Sequence, residues 1–115
     1  MQKLSIIGNL GQDATEKAFS DGKKVINFSV AVSNGKTKEG TEKPSSWFNC
    51  QIWIEKDQSS KRKDHLKSGT KVYLEGIPKT EAYLDKEGKA VASIVLVVSF
   101  VELLSAQKPT EENEQ

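Results

Sequence analysis

The sequence is poor in the residues on which many kinds of site depend. Its 115 residues include one cysteine and one histidine, Cys50 and His65, so an internal disulfide and a His/Cys metal cluster are both excluded. No apolar run approaches the ~18–20 residues that span a bilayer, and the N-terminal residues lack the pattern of a secretory signal. We therefore expect a protein of the reducing cytoplasm that does not contact a membrane.

Catalytic patterns are equally scarce. Gly35-Lys36-Thr37 resembles the end of a phosphate-binding loop, but the glycine required five positions earlier is Val30. His65 lies in a charged stretch, where a solvated side chain is expected rather than a general base. The acidic residues of the polar turns show no metal-binding arrangement. The sequence thus predicts a protein that is not an enzyme and has no cofactor.

The charge is divided unevenly along the chain. The net charge is +1, but residues 105–115 hold one basic and three acidic side chains, so sixteen bases against thirteen acids leave +3 on residues 1–104. Residues 36–71 carry nine bases and five acids. This modest excess permits a polyanionic partner without demanding one.

Alternation of apolar and polar residues predicts an all-β domain. The predicted strands are 3–10, 25–33, 47–55, 69–77 and 90–104, and residues 80–84 form a hairpin with the last strand across a turn at 85–88. Residues 91–98, nearly all β-branched or apolar, are expected to be covered on both faces. Five or so strands favour a small Greek-key barrel over a β-sandwich, for which about seven strands are expected.

The segments between the strands are polar. Residues 34–46 contain no apolar residue and predict a long, exposed, mobile loop. Residues 56–68 predict a poorly packed short helix or a loop, with Asp57 as N-cap and Leu66 as the one apolar anchor. Residues 105–115 lack periodicity and predict a short, disordered, acidic tail after a domain of residues 1–104.

The predicted strand 47–55 carries the strongest functional signal. Its alternation places Phe48, Cys50, Ile52 and Ile54 on a core face, and Trp47, Asn49, Gln51, Trp53 and Glu55 on the other. Two tryptophans on a polar face indicate either packing under a loop or in a subunit interface, or platforms on which bases stack for ~1–3 kcal/mol each. Tyr83 in the hairpin is a third candidate ring.

Lysines surround these rings. Five of them lie in the loop before Trp47, just after Trp53 and just before Tyr83, and together with the rings they predict a basic groove of the kind that holds single strands. The predicted phosphate contacts are Lys36, Lys38, Lys43, Lys56, Lys67 and Lys79.

The sequence resembles the bacterial single-stranded DNA-binding protein family. The resemblance is carried by residues 4–13, Trp47 with Trp53, residues 65–76 and the hairpin residues 83–89, and it extends in collinear order over about residues 1–104. It implies an OB-fold, usually a homotetramer, that coats single-stranded DNA without sequence preference during replication, recombination and repair. It also implies that Trp47, Trp53 and Tyr83 are base-stacking positions.

Several residues depart from the family pattern. Asn34-Gly35-Lys36 contains no tryptophan, although relatives often have one there. Phe48 and Asn49 occupy positions where relatives often have histidine and a basic residue. Glu81-Ala82, directly before Tyr83, includes no basic residue. We therefore expect weaker and strongly salt-dependent binding, and the choice between dimer and tetramer stays open. The acidic tail lacks an apolar anchor, which makes recruitment of repair and replication proteins doubtful. The alternative function is that of an OB-fold primosome or recombination accessory protein acting mainly through protein contacts.

Overall fold

The structure, a computed structural model, describes residues 1–56, 58–59 and 61–105, and these fold mainly into strands. A 3-10 helix spans Lys61–His65. The strands, in chain order, are β1 (Leu4–Leu10), β2 (Thr15–Ala18), β3 (Lys24–Val32), β4 (Ser46–Ile54), β5 (Lys71–Leu84) and β6 (Ala90–Leu103). Asp57, the predicted N-cap, and residues 106–115 of the predicted tail lie outside the described residues.

Five of the strands close into a barrel. β1 pairs with β5, β5 with β6, β6 with β4, β4 with β3, and β3 returns to β1 through Asn9–Ala31 and Leu10–Val30. Among these pairings only β4–β6 is parallel. β2 pairs with the first half of β3, on the same edge as β1 and away from β4. This ring is the five-stranded Greek-key barrel of the OB-fold, so the predicted fold class is confirmed.

The barrel interior is filled by aliphatic side chains from every strand of the ring. Ile26, Val30, Leu74 and Leu96 are fully buried. Leu66 is fully buried as well, although we expected its segment to pack poorly. It follows the 3-10 helix directly, and its carbonyl accepts a hydrogen bond from the Ala14 amide at 2.9 Å, which ties the segment to the chain after β1.

Three features of the strands differ from the sequence prediction. β2 was not predicted, and β5 is one continuous strand through Pro78 rather than two. The segment 91–98 is not covered on both faces in this chain, since Val95 and Leu96 are buried but Ile94 is exposed. The polar segment before β4 is exposed as predicted, but it forms its own small hairpin through the bridge between Lys36 and Glu42.

β5 separates from β1 at Gly76, and the β5–β6 hairpin continues beyond the barrel. The register between the two strands shifts between Glu75 and Gly76, and a Cβ atom at Gly76 would overlap the carbonyl oxygen of Val97. The pairing of β5 with β1 ends at Gly76, which lies opposite Leu4, the first residue of β1. Beyond Gly76, β5 is paired with β6 alone. The turn at its tip is as predicted, with the Asp85 carboxylate accepting hydrogen bonds from the amides of Glu87 and Lys89.

Candidate nucleic-acid interface

One continuous sheet face, here called the outer face, runs across five strands and is centred on β4. Side chains of residues paired across neighbouring strands lie on the same side of a sheet. On β4 this side carries Trp47, Asn49, Gln51 and Trp53, as the alternation predicted, and their β3 partners are Ala31, Ser29, Asn27 and Val25. β2 extends the face because Lys17 pairs with Val25.

The same face continues through β6 onto the hairpin. Asn49 and Gln51 of β4 pair with Val95 and Val97 of β6. On β5, the residues paired with Val95, Ser93 and Val91 are Lys79, Glu81 and Tyr83. Tyr83 therefore lies on the same side of the sheet as the two tryptophans.

A shallow groove of about 270 Å³ lies in the middle of the outer face, between the tryptophans. Amides and hydroxyls dominate its wall. The Ser29 hydroxyl donates a 3.5 Å hydrogen bond to the side-chain oxygen of Asn49. Such groups satisfy varied partners by hydrogen bonding without fixing one charge. The neutral polar residues that line it are Gln12, Thr15, Asn27, Ser29, Asn49 and Gln51.

The three predicted rings are exposed in this chain. The exposed fractions are 57% for Trp47, 46% for Trp53 and 54% for Tyr83. Exposed aromatic rings beside a polar groove are the arrangement on which bases or other planar groups stack. The structure brings the two indoles together on one strand face, with Tyr83 on the hairpin two strands away.

Trp47 rests on bare backbone. A Cβ atom at Gly11 would lie 2.8 Å from the Cζ3 atom of the indole, so the ring occupies space that a side chain at this position would fill. Gly11 directly follows β1, and its amide donates to the Ser29 carbonyl at 3.1 Å, which holds this backbone against β3. The glycine thus allows Trp47 to lie close to the sheet.

Trp53 has an aromatic neighbour that the sequence analysis missed. Phe19 stacks on it with ring centroids 5.5 Å apart and ring planes inclined by 18°. The indole Nε1 donates a 3.2 Å hydrogen bond to Gln51. Phe19 was missed because it follows β2, a four-residue strand without apolar alternation, and the signal available was an isolated aromatic residue before the turn Ser20-Asp21-Gly22.

The predicted lysines are spread around this face rather than gathered in the groove. Lys36, Lys38 and Lys43 lie in the loop that joins β3 to β4, next to the Ala31–Trp47 pair. Lys79 faces Val95, a residue of the groove wall.

The other two predicted lysines are engaged with neighbouring groups. The side chain of Lys56 lies against Gly22: a Cβ atom added to Gly22 would be 2.9 Å from the Cβ atom of Lys56. Lys67 lies 4.0 Å from the Asp13 carboxylate. Both contacts are at the surface, so each ammonium remains available to a phosphate.

Two acidic residues line the groove, Asp13 and Glu81. Asp13 has a structural role, since its carboxylate accepts a 2.8 Å hydrogen bond from the Ser68 amide and faces Lys67. Glu81 lies between Lys79 and Tyr83 on the same side of β5. A carboxylate here opposes the field of the lysines, so the groove itself is less basic than the sequence suggested.

The side of β4 opposite the groove is core, as predicted. Cys50, Ile52 and Ile54 are buried there, and Phe48 is partly buried. Burial raises the pKa of the Cys50 thiol from 9.0 to about 12, which keeps it neutral and unreactive at ordinary pH.

Within the described ranges, no group of three or more His, Cys, Asp and Glu residues is placed to hold a metal ion. In the same part of the chain, no helix has the length and apolar character needed to cross a membrane.

Sequence comparisons agree on one family. A model of the single-strand binding protein family matches residues 1–104. The single-stranded DNA-binding protein of Chlamydia pneumoniae is 34% identical over 91 residues, which is 79% of this chain and 54% of that protein. Single-stranded DNA-binding protein 1 of Synechocystis is 25% identical over 97% of this chain and 90% of that protein. The chain spans just over half the length of the chlamydial relative.

Solved structures show the same fold at lower sequence identity. A Plasmodium falciparum SSB, solved in complex with ssDNA, superposes with a TM-score of 0.69 at 19% identity, covering 91% of this chain and 96% of that one. A small single-stranded DNA-binding protein from Streptomyces coelicolor superposes with a TM-score of 0.71 at 16% identity, covering 88% and 92%.

Proposed function

Since the chain belongs to the single-strand binding protein family, we propose that it binds single-stranded DNA without sequence preference and protects it during replication, recombination and repair. The observation that carries the proposal is the outer face of β4, where two exposed indoles flank polar Asn49 and Gln51. Stacking on flat rings is tolerant of sequence because every base has a π-face. It is a binding protein of the cytoplasmic nucleoid, without catalytic activity and without a cofactor.

In this proposal the lysines supply the second part of the binding energy. Lys36, Lys38 and Lys43 lie at the Trp47 end of the face, and Lys56 at the Trp53 end. Ammonium groups at both ends of a stacking platform suit a strand whose phosphates run along its edges. Each phosphate neutralised releases counterions, so binding weakens steeply as salt rises.

Intrinsic tryptophan fluorescence titrated with oligo(dT) tests the proposal directly, because Trp47 and Trp53 are the only tryptophans. We expect saturable quenching, with log affinity falling against log salt by about 0.7 for each phosphate contacted. A duplex of the same length is the control, and it should quench far less because its bases are already stacked. No quenching at low salt would contradict DNA binding and favour a role in protein contacts.

We propose that the protein assembles as a homotetramer, or as a dimer. The contact surface is a second exterior surface of the barrel, distinct from the outer face, formed by β1 and by the parts of β5 and β6 that lie next to it. This side exposes Ile7 and Phe100, and the ring of Phe100 meets Tyr73 edge-on at 6.1 Å. Glu75 lies on the same side, paired with Phe100, and hydrogen bonds from Tyr73 and then Lys3 lower its pKa. Light scattering of the unmodified chain gives the mass, and a monomer at micromolar concentration would overturn the proposal.

A further inference from the structure

Trp47 and Trp53 have different surroundings, although both lie on the outer face of β4. Trp47 lies on the bare backbone of Gly11, whereas Phe19 covers one face of the Trp53 indole. Stacking at 18° and 5.5 Å leaves the opposite face of the indole as the one on which a base can stack.

The turn after β2 fixes Phe19 in this place. The Phe19 amide donates to the Lys23 carbonyl at 2.8 Å, and the Gly22 amide donates back to the Phe19 carbonyl at 3.0 Å. Gly22 has a φ of +90°, and a side chain there would collide with Lys56, three residues after Trp53. The turn is therefore held against the end of β4 that carries the indole, and the position of Phe19 does not depend on its contact with Trp53 alone.

A cation completes the stack. The Lys17 ammonium lies 5.4 Å from the centroid of the Phe19 ring. Lys17 pairs with Val25, which itself pairs with Trp53, so the ammonium lies on the outer face two strands from the indole. The neighbouring Glu16 and Lys24 belong to the opposite side, where they form an ion pair at 3.6 Å.

We propose that β2 belongs to the DNA-contacting face: Phe19 is a positioning residue that holds Trp53 ready to stack on one base, and Lys17 contacts the phosphate of that nucleotide. The proposal rests on the proposed binding of single-stranded DNA. An indole that is already packed loses less side-chain freedom when a base stacks on it, so more of the stacking energy appears as affinity.

The test isolates Trp53 as the sole fluorophore in a Trp47→Phe parent, which keeps an aromatic ring at position 47. We expect Phe19→Ala to weaken oligo(dT) binding by roughly three- to tenfold, the range for loss of one aromatic pair, and to reduce the Trp53 quenching at saturation. Phe19→Tyr should retain the affinity and the quenching of the parent, since it keeps an aromatic ring of similar size. Phe19→Leu retains apolar bulk without the ring, and it should lose affinity while melting like the parent, which separates positioning from folding.

Lys17 is tested by its salt dependence. Lys17→Gln should make the slope of log affinity against log salt shallower by about 0.7, the value for one phosphate contact. Lys24→Gln, on the opposite side of the same strand pair, is the matched control and should leave the slope unchanged.

The outcomes separate this inference from the proposed function. If the unmodified chain does not bind oligo(dT), the proposed function fails and this inference with it. If the unmodified chain binds but the Phe19 variants keep the affinity and quenching of the parent, only the role of Phe19 is overturned. An unchanged slope for Lys17→Gln overturns the phosphate contact.

Discussion

The inward and outward sides of β4 share one backbone and have opposite surroundings. Cys50, Ile52 and Ile54 lie inside the barrel among aliphatic side chains, while Trp47 and Trp53 lie outside beside a polar groove. Because successive side chains of a strand point to opposite faces, the same nine residues supply core packing on one side and the proposed DNA-binding surface on the other. We therefore expect that stability and DNA binding can be altered separately on this strand, by substitutions on one side or the other.

The largest expected effect comes from the inward side. Ile52→Ala should lower the free energy of unfolding by about 2–5 kcal/mol, because it removes buried methyl groups and leaves a cavity. Urea denaturation followed by circular dichroism measures this. The adjacent outward change, Gln51→Ala, is the control and should shift the free energy by no more than about 0.5 kcal/mol. An equal loss of unfolding free energy in both variants would contradict the distinction between the inward and outward sides of β4.

The outward side is expected to affect affinity instead. Trp47→Ala should weaken oligo(dT) binding by about 1–3 kcal/mol, the value of one base–aromatic stack, with the melting temperature nearly unchanged. Anisotropy of a labelled oligonucleotide reports binding without relying on the removed fluorophore. Trp47→Phe keeps a stacking ring and should retain most of the affinity. A variant that binds normally but melts early would place Trp47 with the structural residues.

The smallest expected effect concerns the acid in the groove. Glu81→Gln removes a charge that repels phosphates, and we expect two- to threefold tighter binding at low salt that disappears at high salt. Titrations at two salt concentrations measure it. Asp64→Asn is the matched control, since Asp64 lies in the 3-10 helix and does not line the groove. Tighter binding by the control as well would assign the effect to net charge rather than to the groove.

The period of β4 explains why its two sides could be predicted from the sequence. Four apolar residues alternate with polar and aromatic ones over nine positions, so local chemistry and tertiary position agree. The rings and the fold class followed from this and from the family resemblance. The DNA contacts of the named residues stay a prediction until the titrations are made.

Features that depend on distant parts of the chain could not be predicted. β2 has the sequence Thr-Glu-Lys-Ala and exists because the edge of β3 is available to it, which no local pattern reveals. We predicted residues 69–77 and 80–84 as separate segments, but β5 continues through Pro78. Beyond Gly76 one edge of β5 is unpaired, and proline is tolerated in such an edge strand. The apolar residues 91–98 suggested a covered strand, yet the hairpin leaves the barrel and exposes Ile94. Phe19 was missed for the same reason as β2.

Closure of the barrel also sets a delay during protein synthesis. β1 emerges first, but its main partner is β5, and Leu4 pairs with a residue made 72 positions later, Gly76. At translation rates of 5–20 residues per second, that wait lasts roughly 4 to 14 seconds. During this interval the nascent chain carries Ile6 and Leu10, which are buried in the finished barrel, without the strand that will cover them. A chaperone that binds short apolar segments therefore has its longest opportunity at the first strand.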